Sequence, residues 1–160
     1  MSATGKSTLI QELGLRGYRV VDLDCPEYSH WVDVAAVADA PGTPVRPDQD
    51  WVWREDRVES LLNVESEQPL FVSGCSPNMG KFLPRFDHVV LLSAPNDVLV
   101  ARLRSRSSGY GTSEPEIARV LSLRSDVEPL LRRASSLELS TAQGIERTLH
   151  ALMRLVEEAG

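Results

Sequence analysis

The sequence predicts an α/β fold in which a mostly parallel β-sheet carries helices on both faces. Short apolar runs rich in β-branched residues alternate along the chain with segments whose apolar residues recur at helical spacing. Short apolar runs such as residues 89–92 (VVLL) are typical of strands buried on both sides of a parallel sheet. The length of 160 residues, 42% of them hydrophobic, suits one globular domain over residues 1–160.

Four short apolar runs are predicted to be strands. They are residues 18–24 (YRVVDLD), 69–74 (PLFVSG), 88–95 (HVVLLSAP) and 136–141 (SLELST). Between the first two runs, residues 26–50 carry four prolines and are predicted to be irregular. Within them, only the piece 33–40 (DVAAVADA) has the composition of a short helix.

Apolar residues at helical spacing predict five helices. They are residues 6 to about 13, 53–62, 95 to about 106, 114 to about 134, and a last helix containing 145–156. Ser113 and Glu116 have the spacing of a capping box at the start of the fourth helix. Pro129 predicts a bend or a break within that helix.

Charge, cysteine spacing and hydropathy limit the partners and the compartment of this protein. The formal net charge of −6 argues against bulk electrostatic binding to nucleic acid or to an anionic membrane. The two cysteines, Cys25 and Cys75, have no metal-type spacing, and a reducing compartment is expected. No apolar run has the length of a membrane span or the place of a signal peptide. We therefore expect a cytoplasmic protein with a small-molecule partner.

The segment ATGKST (3–8) contains the second half of the phosphate-loop pattern G-x-x-x-x-G-K-[ST]. In such a loop the backbone N–H groups and the following helix N-terminus hold phosphate oxygens. The lysine reaches the β- and γ-phosphates, and the next hydroxyl binds Mg²⁺. The short motif also occurs by chance in turns, but here it opens a predicted helix that a strand follows. The expected nucleotide-binding residues are Thr4, Gly5, Lys6, Ser7 and Thr8, with Lys6 catalytic and Ser7 a metal ligand.

The first glycine of that pattern would fall one position before Met1. The strand that precedes such a loop is then also outside the sequence. Without it the fold would lose the burial of about six apolar residues, each of which contributes about 1.5–3 kcal/mol to stability. We expect the natural start to lie upstream, with the first strand there. The alternative is an N-terminally truncated, inactive relative.

Asp22 and Asp24 stand two residues apart at the carboxyl end of the first predicted strand. Strand alternation places both side chains on one face if the strand persists that far, at the sheet edge where ligands bind. One carboxylate would then hold Mg²⁺ and the other would orient or deprotonate a substrate hydroxyl. The alternative is that both acids only solvate a strand end. The runs 71–74 and 89–95 end without an acid, which favours a small-molecule kinase over a mechanical ATPase.

Arg102 and Arg106 are one helical turn apart and precede the glycine-bearing segment SSGYG (107–111). Arginines on a mobile segment can neutralise the charge of a transferred phosphoryl group, so residues 104–116 are predicted to form a lid. A solvated basic helix end is the alternative. Residues 26–66, with Trp31, Trp51 and Trp53, are the predicted acceptor region, although these tryptophans could equally belong to the core.

The chain resembles the P-loop kinase group that includes shikimate kinase, adenylate kinase and related nucleoside and nucleotide kinases. The resemblance lies in ATGKST (3–8), DLD (22–24), VVLLSAP (89–95) with R-x-x-x-R (102–106), and LST (139–141). It implies a P-loop NTPase three-layer sandwich, with Asp22 near Mg²⁺ and Asp24 near the acceptor hydroxyl. It also implies that Ser140–Ala142, and with them Thr141, lie near the adenine. The arginines and glycines that mark a shikimate site are not evident.

These observations together predict an ATP- and Mg²⁺-dependent phosphotransferase for a small hydroxylated or phosphorylated metabolite, such as a nucleoside or nucleotide. The expected catalytic residues are Lys6, Asp24, Arg102 and Arg106, and the expected metal ligands are Ser7 and Asp22. One alternative is a nucleotide-binding regulatory protein with weak or no catalysis. Another is phosphorylation of polynucleotide 5′-hydroxyls, which the acidic charge disfavours.

Overall fold

The structure of the protein is a computed structural model that describes residues 3–34, 48–106 and 112–159. The helices in these residues are α1 (Lys6–Leu15), α2 (Glu55–Leu62), α3 (Asn96–Arg104), α4 (Glu114–Ala134) and α5 (Ile145–Ala159). The strands are β1 (Arg19–Asp22), β2 (Ser29–Asp33), β3 (Gln49–Trp53), β4 (Leu70–Ser73), β5 (Val90–Ser93) and β6 (Leu137–Ser140). None of the helices in the described part of the chain is long and apolar enough to cross a membrane.

The predicted strands form two parallel pairs. β1 pairs with β4, with Asp22 opposite Ser73 at their carboxyl ends. β5 pairs with β6, with Ser93 opposite Ser140. Parallel pairing joined by helices is the expected consequence of alternating strands and helices, because parallel neighbours need a crossover connection. The prediction of an α/β fold is confirmed.

The prediction of an irregular backbone over residues 26–50 was wrong at residues 29–33 and 49–50, which lie in strands, and residues 35–47 lie outside the described residues. β2 and β3 pair antiparallel, with Trp31 opposite Trp51 and Ser29 opposite Trp53. Burial alternates over residues 30–33 and 49–52, which is the period of two of a half-buried strand, while the paired Ser29 and Trp53 are both buried. Prolines concentrated in the connecting residues masked this alternation in the sequence. Asp33 ends β2, so the short helix predicted from this residue does not begin there, and its residues 35–40 lie outside the described residues.

The chain divides into two compact units. Unit 1 contains the residues up to Leu9 and those from His88 onward, and unit 2 contains Ile10–Asp87. A cluster of Leu103, Ile117 and Val120 lies in the core of unit 1. The core of unit 2 is built on the buried side chains Leu23, Trp53, Val58 and Phe82. That residues 1–160 act as a single domain stays a prediction.

Helix α4 has the predicted start and the predicted end near Ala134. The Ser113 side chain accepts a hydrogen bond from the Glu116 N–H, and the Glu116 side chain accepts one from the Ser113 N–H. The helix continues through Pro129 to Ala134, so the proline does not break it. Pro129 is exposed on the helix surface, and a bend at this residue stays a prediction.

Candidate functional site

The residues just before α1 have an unusual backbone conformation. Gly5 has a φ of 97°, a region that glycine occupies without the strain that a Cβ would cause. Ala3 has a φ of 60°, which costs a residue with a Cβ about 1–2 kcal/mol. The Gly5 carbonyl accepts the N–H of Leu9 at 3.0 Å and so joins the loop to the helix. The loop therefore turns sharply into the first turn of α1.

Two backbone carbonyls of this loop accept hydrogen bonds from side chains of unit 1. Arg102 donates from Nη1 to the Ala3 carbonyl at 3.1 Å and to the Thr141 hydroxyl at 2.9 Å. Its Nη2 donates to the Thr141 carbonyl at 2.8 Å. The Thr141 hydroxyl donates to the Thr4 carbonyl at 2.9 Å, and the Ser93 carbonyl lies 3.3 Å from the same oxygen. Thr4 and Thr141 are both buried, so these carbonyls have partners where water does not reach them.

The first turn of α1 provides the residues that anions prefer. No acidic side chain stands in this turn, Lys6 is half-buried, and Ser7 and Thr8 are exposed. Unpaired N–H groups and the helix dipole make such a helix start favourable for phosphate. The arrangement fits a phosphate ligand, although the roles of Thr4, Gly5, Lys6, Ser7 and Thr8 stay predictions.

The two predicted carboxylates lie in unit 2. The Asp22 Oδ1 accepts from the Asp24 N–H and from the Ser73 hydroxyl, both at 3.1 Å. The Asp24 Oδ1 accepts from the Cys75 N–H at 3.0 Å. Because β1 ends at Asp22, the alternation argument does not reach Asp24. A turn closed by Asp22 positions Asp24 instead, against the residues that follow β4.

Gly74 and Trp53 form the surroundings of Asp24. A Cβ at Gly74 would lie 2.8 Å from Trp53 Cζ2 and 3.2 Å from Asp24 Oδ1. Trp51 Nε1 donates to the Asp24 carbonyl at 3.1 Å. The sequence reasoning placed Gly74 only at a strand end. Its role is to leave room for the Trp53 ring next to Asp24, and a single sequence does not reveal this contact.

The three tryptophans differ in their surroundings, and their role in the acceptor region stays a prediction. Trp31, Trp51 and Trp53 share one face of the β2–β3 hairpin, since paired positions of antiparallel strands face the same side. Trp53 is 4% exposed and belongs to the core, while Trp31 is 38% exposed. The rings of Trp31 and Trp51 are 5.0 Å apart. Trp53 is therefore a core residue, and Trp31 is a surface residue.

The predicted lid residues are described in part. Arg104 forms an ion pair with Glu114 at 2.9 Å, and Arg106 is exposed. Residues 107–111 lie outside the described residues. No group of three or more histidine, cysteine, aspartate or glutamate side chains that could hold a metal ion occurs in residues 3–34, 48–106 and 112–159. Metal ligation by Ser7 and Asp22 stays a prediction.

The sequence reasoning missed an ion-pair network on α4. The buried Glu128 accepts from Arg124 and from Arg132, and Arg132 also donates to both carboxylate oxygens of Glu138, at 2.6 and 2.9 Å. The spacing of four residues between Arg124, Glu128 and Arg132 was the signal that could have found it.

The network changes the acidity of both carboxylates. Hydrogen bonds from Arg132 and from Ser93 lower the pKa of Glu138 to about 2. Burial pushes the pKa of Glu128 upward, but hydrogen bonds from Arg124 and Arg132 outweigh burial and leave that pKa below its ordinary value. Both groups are therefore charged at neutral pH, and the network is an arrangement of paired ions.

Comparisons with known proteins identify the family of this chain. A protein-family model described as an AAA domain matches residues 1–121. The chain belongs to the AAA domain family. The AAA domain contains the loop and α1, both strands of the β1–β4 pair, and the start of α4.

The structure of this AAA domain protein also resembles that of shikimate kinase from Bacteroides thetaiotaomicron. The match covers 98% of this chain and 94% of the other, with a TM-score of 0.61 and 15% identity. A search of the curated proteins gave no match. The predicted resemblance to the P-loop small-molecule kinase group is confirmed. Family and fold together support a P-loop kinase-like, nucleotide-binding function.

Proposed function

We propose that this protein is an ATP-dependent phosphotransferase that acts on a small hydroxylated or phosphorylated molecule. The proposal rests on the loop of residues 3–5, immediately before the start of α1. In this loop the Ala3 carbonyl accepts a hydrogen bond from Arg102, and the Thr4 carbonyl accepts one from the Thr141 hydroxyl. This leaves the helix start, with Lys6 and Ser7, as the part of the loop that meets phosphate.

The nucleotide is held by the residues around the start of α1. Backbone N–H groups of Thr4 to Thr8 donate to phosphate oxygens, and Lys6 neutralises their charge. Ser7 and Asp22 offer hard oxygen ligands that would hold Mg²⁺, and the bound ion would reduce the charge repulsion against an incoming nucleophile. Thr141 lies beside the loop and, in this proposal, on the adenine side of the nucleotide.

Asp24 orients the acceptor hydroxyl. Its carboxylate is fixed by the Cys75 N–H, so it is positioned before any substrate binds. As the acceptor oxygen bonds to the γ-phosphorus and the bond from that phosphorus to ADP breaks, the hydroxyl proton passes to this carboxylate. The acceptor region is residues 26–66, and the arginines of a lid over 104–116, Arg106 foremost, stabilise the transferred charge. No covalent enzyme intermediate is required.

Isothermal titration calorimetry with Mg²⁺-ATP, combined with a screen of small hydroxylated acceptors for ADP production, tests the proposal. We expect Asp24→Asn to keep ATP affinity within about threefold and to reduce turnover about 10²–10⁴-fold, the range of a lost general base. Asparagine keeps an oxygen acceptor for the Cys75 N–H, which preserves the local turn. Asp87→Asn, at an exposed position, is the matched control.

The same variants distinguish a kinase from a regulatory nucleotide-binding protein. Such a protein would bind Mg²⁺-ATP, show no acceptor-dependent ADP production, and be indifferent to Asp24→Asn. Absence of Mg²⁺-ATP binding by the folded wild-type protein would overturn the proposal altogether.

A further inference from the structure

The contacts of Arg102 and Thr141 determine the direction of two peptide units in the loop. The Ala3 carbonyl points to Arg102, and the Thr4 carbonyl points to the Thr141 hydroxyl. In a trans peptide, a carbonyl and the N–H that follows it point in opposite directions. The N–H groups of Thr4 and Gly5 therefore both point away from this pair of side chains. Two successive N–H groups turned to one side form the concave arrangement that binds anions.

The conformation of Ala3 requires such a constraint. A non-glycine residue at a φ of 60° is disfavoured, and it persists where the surrounding structure holds it. Arg102 holds the Ala3 carbonyl, and the Ala3 side chain packs against the cluster of Leu103, Ile117 and Val120. The Ala3 carbonyl is thus hydrogen-bonded, and the Ala3 side chain is packed. The loop shape is imposed by α3 and α4 and not by local preference.

Arginine and threonine are suited to this task. The planar guanidinium can donate to several acceptors at fixed angles, and Arg102 uses three, the Ala3 carbonyl and both oxygens of Thr141. The Thr141 hydroxyl accepts from Arg102 and donates to Thr4, so it joins the two contacts into one network. Lysine or valine at these positions would preserve bulk and lose that connection.

We propose that Arg102 and Thr141 are positioning residues that preset the phosphate loop for its ligand. The inference rests on the proposed function and deepens it. It gives Arg102 a task in the loop, in contrast to the task of Arg106 in charge neutralisation. The ligand component that this pair serves is the polyphosphate chain, because the N–H groups that it orients lie in the loop.

The test compares Mg²⁺-ATP with inorganic tripolyphosphate in the presence of Mg²⁺, both by calorimetry. We expect Thr141→Val, which has the same shape without the hydroxyl, to weaken both ligands at least tenfold and by a similar factor. Arg102→Lys is expected to do the same, since a single ammonium group cannot reproduce the three contacts. Thr141→Ser keeps the hydroxyl, so both affinities should stay within about threefold of those of the wild-type protein. Arg147→Ala, at an exposed position of α5, is the control for loss of an arginine.

Each result has a definite meaning. If Thr141→Val weakens ATP and leaves tripolyphosphate unchanged, Thr141 serves the base and the inference is overturned. If Arg102→Lys lowers turnover and leaves both affinities unchanged, Arg102 stabilises transferred charge and the inference is likewise overturned. Because valine and lysine are conservative replacements, thermal unfolding without ligand shows whether each variant is folded, and Thr141→Ser gives the comparison in a nearly unaltered chain. Failure of the wild-type protein to bind either ligand would instead refute the proposed function.

Discussion

The ring of Trp53 lies directly over Gly74, and this contact sets the space around Asp24. A Cβ at Gly74 would lie 2.8 Å from Trp53 Cζ2 and 3.2 Å from the Asp24 carboxylate. Trp53 is almost fully buried, so its ring has little room to move. Any side chain at position 74 must therefore displace the core tryptophan or the carboxylate, or both.

We predict that Gly74→Ala lowers the free energy of unfolding by about 1–3 kcal/mol, the usual cost of overpacking. It should also lower acceptor-dependent turnover, since Asp24 is displaced. Gly80→Ala is the control, because nothing lies within 4 Å of its added Cβ. Urea unfolding of both variants provides the measurement, and equal stability of Gly74→Ala and the wild type would show that the ring moves without cost.

At this scale the sequence predicts the residues whose motif is local. Lys6 and Ser7 follow from four consecutive letters, and α1 begins where the motif requires. The contacts of Arg102 with Ala3 and with Thr141 join positions 99 and 39 residues apart, and no local pattern encodes them. The resemblance to P-loop kinases singles out Arg102 and Thr141, but their hydrogen bonds to the loop backbone are visible only in the folded structure.

Among the elements, α4 depends on its cap. The Ser113 hydroxyl accepts from the Glu116 N–H at 3.4 Å, and Glu116 Oε2 accepts from the Ser113 N–H at 3.2 Å. Together they satisfy two N–H groups at the start of a helix of 21 residues. The helix also contributes Ile117 and Val120 to the cluster that packs against Ala3, so its first turn supports the loop.

We predict that Ser113→Ala lowers the free energy of unfolding by about 1 kcal/mol. For a chain of this length the melting temperature should fall by roughly 2–4 °C. Ser122→Ala, at an exposed position within the same helix, should change stability by less than about 0.5 kcal/mol. Thermal unfolding by circular dichroism would check this, and equal effects of the two substitutions would contradict a capping role.

The network of α4 and β6 makes stability depend on acidity. Hydrogen bonds from Arg132 and from Ser93 hold the pKa of Glu138 at about 2 in the folded protein, below its ordinary value of 4.5. A lowered folded pKa adds stability above the unfolded pKa, and that stability is lost as the pH falls toward the folded pKa. We therefore predict a loss of stability between pH 4.5 and about 2, which Glu138→Gln should reduce.

Urea unfolding at a series of pH values measures this slope. Arg132→Gln removes the partner of Glu138 and one partner of Glu128, so it should flatten the slope at least as much as Glu138→Gln does. In the Arg132→Gln background, Glu138→Gln should change the slope less than it does in the wild type, because the two residues interact. Parallel pH curves for the wild type and Glu138→Gln would contradict the prediction. Glu138 is partly exposed, so the effect should diminish as salt is added.

The strands show why only part of the fold is readable from the sequence. β4 and β5 consist of three apolar residues followed by serine, β1 contains the apolar pair Val20 and Val21, and β6 alternates leucine with polar residues. Each of these strands lies within its predicted range. The β2–β3 pair was missed because its strands are half-buried and flank a proline-rich connection, so polar residues and prolines concealed the alternation. Pairing across such a connection is decided by side-chain packing, Trp31 against Trp51 above all, which local propensity does not contain.

For the whole molecule, ligand binding and stability are linked. A ligand that binds only the folded chain stabilises it, by about 2.7 kcal/mol at a concentration of 100 times its Kd. The protein has two compact units, each with its own buried cluster, and the loop belongs to the unit that contains residues from His88 onward. Saturation with a nucleotide should therefore stabilise at least this unit.

We predict that Mg²⁺-ATP at 100 times its Kd raises the melting temperature by roughly 5–11 °C, given about 2–4 °C per kcal/mol for a chain of this length. Lys6→Ala should abolish most of this rise, because the ammonium no longer opposes the phosphate charge. The chain offers a matched control in its second lysine, Lys81, which forms an ion pair with Glu55 at 2.6 Å in the other unit. Lys81→Ala should keep the full rise. Adenosine, which lacks phosphates, should give little shift in any of these proteins, and a rise with adenosine equal to that with Mg²⁺-ATP would show that the base and not the phosphate loop supplies the binding energy.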